Sequence, residues 1–163
     1  MKQGFETEIL HNPVLGAKAI WHFSNSYREK EWSGTPPNLP QIMLVLPMVF
    51  HRKAARSIYG MRFDSGLLKA LADAPDILIN LPERVQSLSR QSLASLGIAS
   101  ASGLVKRIPD DPFPRFLAKS SFPPSLKSSH VDTDQILKAS RRLGYWFAME
   151  DFTTICNLLQ VSF

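Results

Sequence analysis

Few side chains in this sequence stand at spacings that chemistry requires. The four histidines, His11, His22, His51 and His130, are far apart, so a metal site would have to gather its ligands from separate elements. They read as surface or loop histidines, and no metal ligand is assigned. Cys156 is the single cysteine, which excludes a disulfide framework and a four-thiolate zinc site. It falls on the inward face of a helical stretch, where a structural, reduced thiol is the simpler reading. Ser33-Gly34 and Ser65-Gly66 lack the G-x-S-x-G frame that lifts a serine nucleophile onto a sharp turn. No glycine precedes a Lys-Ser or Lys-Thr pair at phosphate-loop spacing, which excludes ATP hydrolysis by this chain alone. The carboxylate pairs Asp110-Asp111, Asp132-Asp134 and Glu150-Asp151 sit at turns and helix starts, where Asp caps a helix or complements its dipole. Catalytic residues, bound cofactor and small-molecule substrate are therefore all expected to be absent, and the chain is read as no enzyme.

The basic residues carry the remaining signal. Arg52, Lys53, Arg56 and Arg62 follow His51 with no acid before Asp64, and Arg52 and Arg56 lie one helical turn apart. Lys106 and Arg107 fall on an apolar stretch that reads as a strand. Such positions contact nucleic-acid phosphates without sequence preference, or pair with acids on a protein partner, or form a solvated face. The 81–96 helix adds only Arg84, Gln86, Arg90 and Gln91 for reading bases.

The elements that must position these residues can be placed from local signals. Asn12-Pro13 is a cap followed by a first-turn proline, and Gly16, Ile20, Trp21, Phe23 and Tyr27 make a broad buried face on a helix ending near 29–31. Trp32 to Asn38 is a loop. Pro40 to Leu46 is a fully buried helical start, with a core strand as the alternative, and Pro47 kinks or divides that element. Asp64-Ser65-Gly66 opens a short helix with Leu67, Leu68 and Leu71 inward, closed at Ala74-Pro75. Leu81, Val85, Leu88, Ser92 and Leu96 share one face of a longer helix that Gly97 stops. Ile98–Ser100 and Leu104–Ile108 then form a hairpin turned by Ala101-Ser102-Gly103. Helix, turn, helix and hairpin is the order of a winged helix-turn-helix.

Pro109, Pro112, Pro114, Pro123 and Pro124 should suspend regular structure over 109–130. The interleaved Phe113, Phe116, Leu117 and Phe122 suggest an arm that packs on its own core or on a partner. Asp132-Thr133-Asp134 caps a C-terminal helical hairpin over 132–163. Ile136, Ser140, Leu143 and Phe147 line its first helix, and Phe152, Ile155, Cys156 and Leu159 its second. Gly144 admits a close backbone.

The fold class expected is thus mainly α with a small β-hairpin: a winged helix-turn-helix-like helical domain with a C-terminal helical hairpin. The 163 residues suit one domain over 1–163, since domains run ~100–200 residues. Hydrophobic residues at 44% and charged residues at 20% exclude wholesale disorder, and a net charge of +5 permits a polyanionic partner without demanding one. The N-terminus has acids where a signal peptide needs an apolar run, and the most apolar stretch, Ile42 to Phe50, is short of the ~20 residues of a membrane span. A cytoplasmic protein without a membrane partner is expected. Three tryptophans and ten phenylalanines are a large apolar supply, suited to a subunit that buries surface against another chain.

Several stretches taken in order resemble one family. They are Asn12-Pro13-x-Leu15-Gly16-Ala17 leading into Ile20-Trp21-x-Phe23 and Tyr27, then Leu44-Val45-Leu46-Pro47-Met48-Val49-Phe50-His51-Arg52. Arg141-Arg142-Leu143-Gly144-x-Trp146-Phe147-Ala148 and Thr154-Ile155-x-x-Leu158-Leu159-x-Val161 complete the set. Together they are similar to the small middle components of bacterial ABC-three-component systems, of which the Lamassu defence systems are similar in organisation. Residues 109–130 are unmatched, and Gln160 stands where such families end Leu-Leu-Gly-Val. The resemblance implies a non-enzymatic adaptor between an SMC- or Rad50-like ABC ATPase and an effector nuclease, in an anti-phage or anti-plasmid defence complex that meets DNA as a whole. It supplies no catalytic residue to transfer. The other reading of the basic residues is a free-standing winged-helix DNA-binding regulator.

Overall fold

The structure, a computed structural model, describes residues 12–119 and 131–163. It opens on helix α1, Pro13–Lys30, started as its sequence requires: the Asn12 side chain accepts from Leu15 N at 3.0 Å, and Pro13 occupies the first turn. Two short helices follow, α2 (Leu39–Met43) and α3 (Val45–Val49). Asn38 and Gln41 cap α2 reciprocally, each side chain accepting from the other's backbone N–H at 2.9 Å. The helical alternative for Pro40 to Leu46 is the one that forms, and the joint falls at Leu44. Pro47 explains it, because its ring excludes the Met43 carbonyl from a regular α turn.

Helix α4, Arg52–Tyr59, is followed by a 3₁₀ turn at Phe63–Ser65, α5 (Gly66–Asp73) and a second 3₁₀ turn at Pro75–Leu78. Leu67 and Leu71 of α5 are buried, but Leu68 is exposed, a correction to the inward stripe expected there. The expected 81–96 helix is two, α6 (Leu81–Ser87) and α7 (Ser89–Ala101), joined at the buried Leu88. Ser87 Oγ and Ser89 Oγ donate back to the carbonyls of Arg84 and Gln86, and such back-bonding bends helices. Arg84 ties this corner to the rest of the molecule: its guanidinium donates to the carbonyls of Pro47 (2.6 Å), Ile77 (2.7 Å) and Ile79 (3.0 Å).

Gly97 does not stop α7. It is an exposed helical residue, and the helix closes at Gly103, whose φ of 78° lets Leu104 N donate to Ala99 O and Gly103 N to Ser100 O. Ile98–Ser100 is accordingly helix rather than strand. The hairpin pairs β1 (Val105–Ile108) with β2 (Arg115–Ala118), antiparallel, with Val105 opposite Ala118 and Ile108 opposite Arg115. Regular structure therefore persists inside 109–130. The far edge of β2 is covered by the chain before α2, where Phe116 N donates to Pro37 O at 3.0 Å and Leu39 N to Pro114 O at 2.9 Å. The rest of the expected arm, 120–130, lies outside the described residues.

Two further helices are described, α8 (Val131–Ala148) and α9 (Phe152–Leu159). Because α8 already runs from Val131, Asp134 is helical and pairs with Lys138 at 2.9 Å instead of capping. Asp151 does cap α9, accepting from Thr154 N at 2.7 Å. In α9, Ile155 and Leu159 are fully buried, while Phe152 and Cys156 are half-buried. The described residues are mostly helical, with one two-stranded sheet among them.

The core is built around α1, which lies most extensively along α8 and next along α7. Both contacts depend on glycine. A Cβ at Gly144 would stand against the Phe23 carbonyl oxygen and 3.0 Å from Tyr27 N, so α8 meets the backbone of α1 directly. A Cβ at Gly16 would collide with Ser95 Oγ and stand 3.2 Å from Leu46 Cδ1. Phe23, Ile20, Leu46, Leu143, Trp146 and Phe147 fill the centre, with Phe23 and Phe147 edge to face at 5.3 Å.

Candidate functional site

Helix α4 presents the first set of basic residues. His51 Nδ1 caps it, accepting from Ala54 N at 3.3 Å, while Ala54, Ala55 and Ile58 turn into the core. That register leaves Arg52, Lys53 and Arg56 exposed. Arg52 and Lys53 stand in the first turn, where the helix dipole opposes a cation, so helix stability does not account for them. Lys53 has a partner in Asp76 at 3.0 Å.

The second set, Lys106 and Arg107, is exposed on β1. As consecutive strand residues they face opposite sides of the sheet. The fold thus gathers Arg52, Lys53 and Arg56 on one helix against α8, and holds Lys106 and Arg107 on a hairpin against α7.

The residues weighed for catalysis are engaged in structure. His22 lies half-buried on α1 with its ring edge-on to Trp21 at 5.0 Å; burial, then the nearby Arg141, lowers its pKa to about 4. His22 and His51 are helix and cap residues rather than loop histidines, and His11 and His130 lie outside the described residues. Burial pushes the Cys156 thiol up. The hydrogen bond from Arg115 Nε, at 2.7 Å, holds the Asp110 carboxyl below the usual carboxylate range. Among the described residues no three His, Cys, Asp or Glu side chains come together in a way that could hold a metal ion. No helix among them is long and apolar enough to cross a membrane.

Sequence reasoning missed a cluster of aromatic rings and cations where α8 passes α4 and the 63–65 turn. Phe63 and Tyr145 meet edge to face at 5.5 Å. Arg142 lies over Phe63 at 4.8 Å and over Tyr59 at 5.5 Å, and donates to the carbonyls of Met61 (2.7 Å) and Lys138 (3.2 Å). Arg141 is 5.8 Å from Phe63, Lys138 5.9 Å from Tyr59, and Lys30 4.9 Å from Tyr145. The only local signal was the Arg141-Arg142 pair, because the rings come from segments far apart in sequence.

Also missed was the exposure of Trp32, which stands 93% exposed in the loop just beyond α1. The turn carrying it is held by the Glu31 carboxylate, which accepts from Ser33 Oγ (2.6 Å), Thr35 N (2.8 Å) and Ser33 N (2.9 Å). Gly34, at φ 74°, closes it.

One family model matches the chain over residues 2–163, that of the ABC-three component (ABC-3C) system Middle Component 3. No curated protein and no solved structure matches.

Proposed function

The chain belongs to the ABC-3C Middle Component 3 family, and from that premise we propose that it is a non-enzymatic adaptor bridging an SMC- or Rad50-like ABC ATPase and an effector nuclease. The setting would be a cytoplasmic, Lamassu-like complex acting against phage or plasmid DNA. The observation that carries this reading is the reach of the match, which includes every element described. The family's description places a middle component among other ABC-3C components, so partner proteins are part of its definition. In the proposal residues 1–163 act as one domain. Arg52, Lys53, Arg56, Lys106 and Arg107 are its candidate contacts to acidic partner surfaces, or to DNA held by the complex.

Size exclusion with mass determination, on the chain alone and co-expressed with the products of its flanking genes, tests this. Co-elution with an ABC-type ATPase at fixed stoichiometry is expected. A chain that ignores both products and runs alone as a dimer shifting duplex DNA overturns it. That outcome belongs to the second reading, a winged-helix regulator, which the exposure of Lys106 and Arg107 on the hairpin following α7 favours. Reversing Arg52, Lys53 and Arg56 to Glu separates the two: a regulator loses duplex affinity, an adaptor loses assembly.

A further inference from the structure

The rings and cations beside α8 form a surface that the adaptor reading does not use. Two of the five cations there have acidic partners: Arg62 with Asp64 at 3.2 Å, and Lys138 with Asp134 at 2.9 Å. Among the described residues no carboxylate pairs with Lys30, Arg141 or Arg142, which lie over Tyr145, Phe63 and Tyr59 instead. The patch therefore holds positive charge in excess of its acids, set among aromatic rings that remain half-exposed.

The surface is also held still. Arg142 is fixed by two carbonyls, and Trp146 Nε1 donates to Phe63 O at 3.0 Å from the core side. Trp32, two residues beyond Lys30, stands out from a turn that Glu31 braces. A nearly fully exposed indole gains nothing for folding from the hydrophobic effect. Yet the turn orders its backbone, which suits a ring held ready for a ligand.

The ligand that fits must be a chain of negative charges and must also offer flat faces to rings. A duplex supplies the charges but keeps its base faces stacked inside, and an acidic peptide supplies charge without the flat faces. A single strand supplies both, and cationic grooves with exposed aromatics are how such strands are held. We propose that Trp32, Lys30, Arg62, Phe63, Arg141 and Tyr145 form a binding surface for single-stranded nucleic acid, with phosphates on the cations and a base stacked on the Trp32 indole. This rests on neither reading of the protein's function.

The indole gives its own readout. Trp21 and Trp146 are buried, so quenching by an added strand reports on Trp32. The full-length chain titrated with oligo-dT of about 16 nucleotides should show quenched emission. Three phosphate contacts imply a slope of about −2 in log affinity against log salt. Trp32→Ala should abolish the quench and weaken binding of a labelled oligonucleotide about tenfold or more. Arg62→Glu with Arg141→Glu should weaken it at least as far, with thermal unfolding of both variants unchanged. Absence of quenching overturns the proposal, as does equal affinity for a duplex of the same length. It is also overturned if Trp32→Ala leaves oligonucleotide binding intact and instead removes co-purification with the other two components, which would make Trp32 a protein contact.

Discussion

At the scale of single residues, His22 shows how burial sets a charge state. Its pKa of about 4 lies below the 6.5 of an exposed imidazole, because burial on α1 and the neighbouring Arg141 both disfavour the cation. Between pH 6.5 and 4 the unfolded chain therefore takes up a proton that the folded one refuses, and stability falls as pH falls through that window. The full difference amounts to about 3 kcal/mol. Urea unfolding at pH 7.5 and 4.5 should show a loss of that order in the parent chain and a clearly smaller one in His22→Gln. An equal loss in both would assign the acid sensitivity to other groups. The imidazole itself was plain in the sequence, but its burial was not, since only the docking of α8 brings Arg141 beside it.

The elements show which local signals are sufficient. Asn12-Pro13 and Asp151 mark their helix starts because a cap is complete within four residues. Helix ends were harder, since Gly97 and Gly103 offer the same residue type and only the second takes a left-handed φ. The hairpin's second strand has no local signal because it lies beyond Pro109, Pro112 and Pro114, and long-range pairing leaves no periodic trace there. Trp32 and the ring cluster escaped notice for the same reason, exposure and ring contact being properties of the assembled fold. At the end of α9 the Gln160 of this chain sits at φ 58°, the conformation that the glycine of similar families would adopt freely, with Val161 N donating to Cys156 O. Gln160→Gly should therefore raise stability by about 0.5–1 kcal/mol, and Gln160→Val should lower it, read by chemical denaturation. No difference between the two would show that the αL cap carries no strain.

For the whole molecule the decisive feature is the direct meeting of backbones around α1. Helical glycines are ordinarily weak points, and Gly97→Ala, where nothing lies within 4 Å of the added carbon, should stabilise by about 0.5–1 kcal/mol. Gly144→Ala should do the opposite by about 2–3 kcal/mol, because its new carbon meets the Phe23 carbonyl and must part α8 from α1. Equal effects of the two substitutions would deny the close approach. The Arg84 joint has a different consequence. It binds the carbonyls of Pro47, Ile77 and Ile79 rather than any carboxylate, so it has no counter-charge for added ions to shield and no acid to protonate. The outer cations face solvent and have no such protection. High ionic strength should then act as a selective solvent, rinsing bound polyanions from the outside while the internal seams stay closed. A salt wash would thus purify the bare protein in its native form.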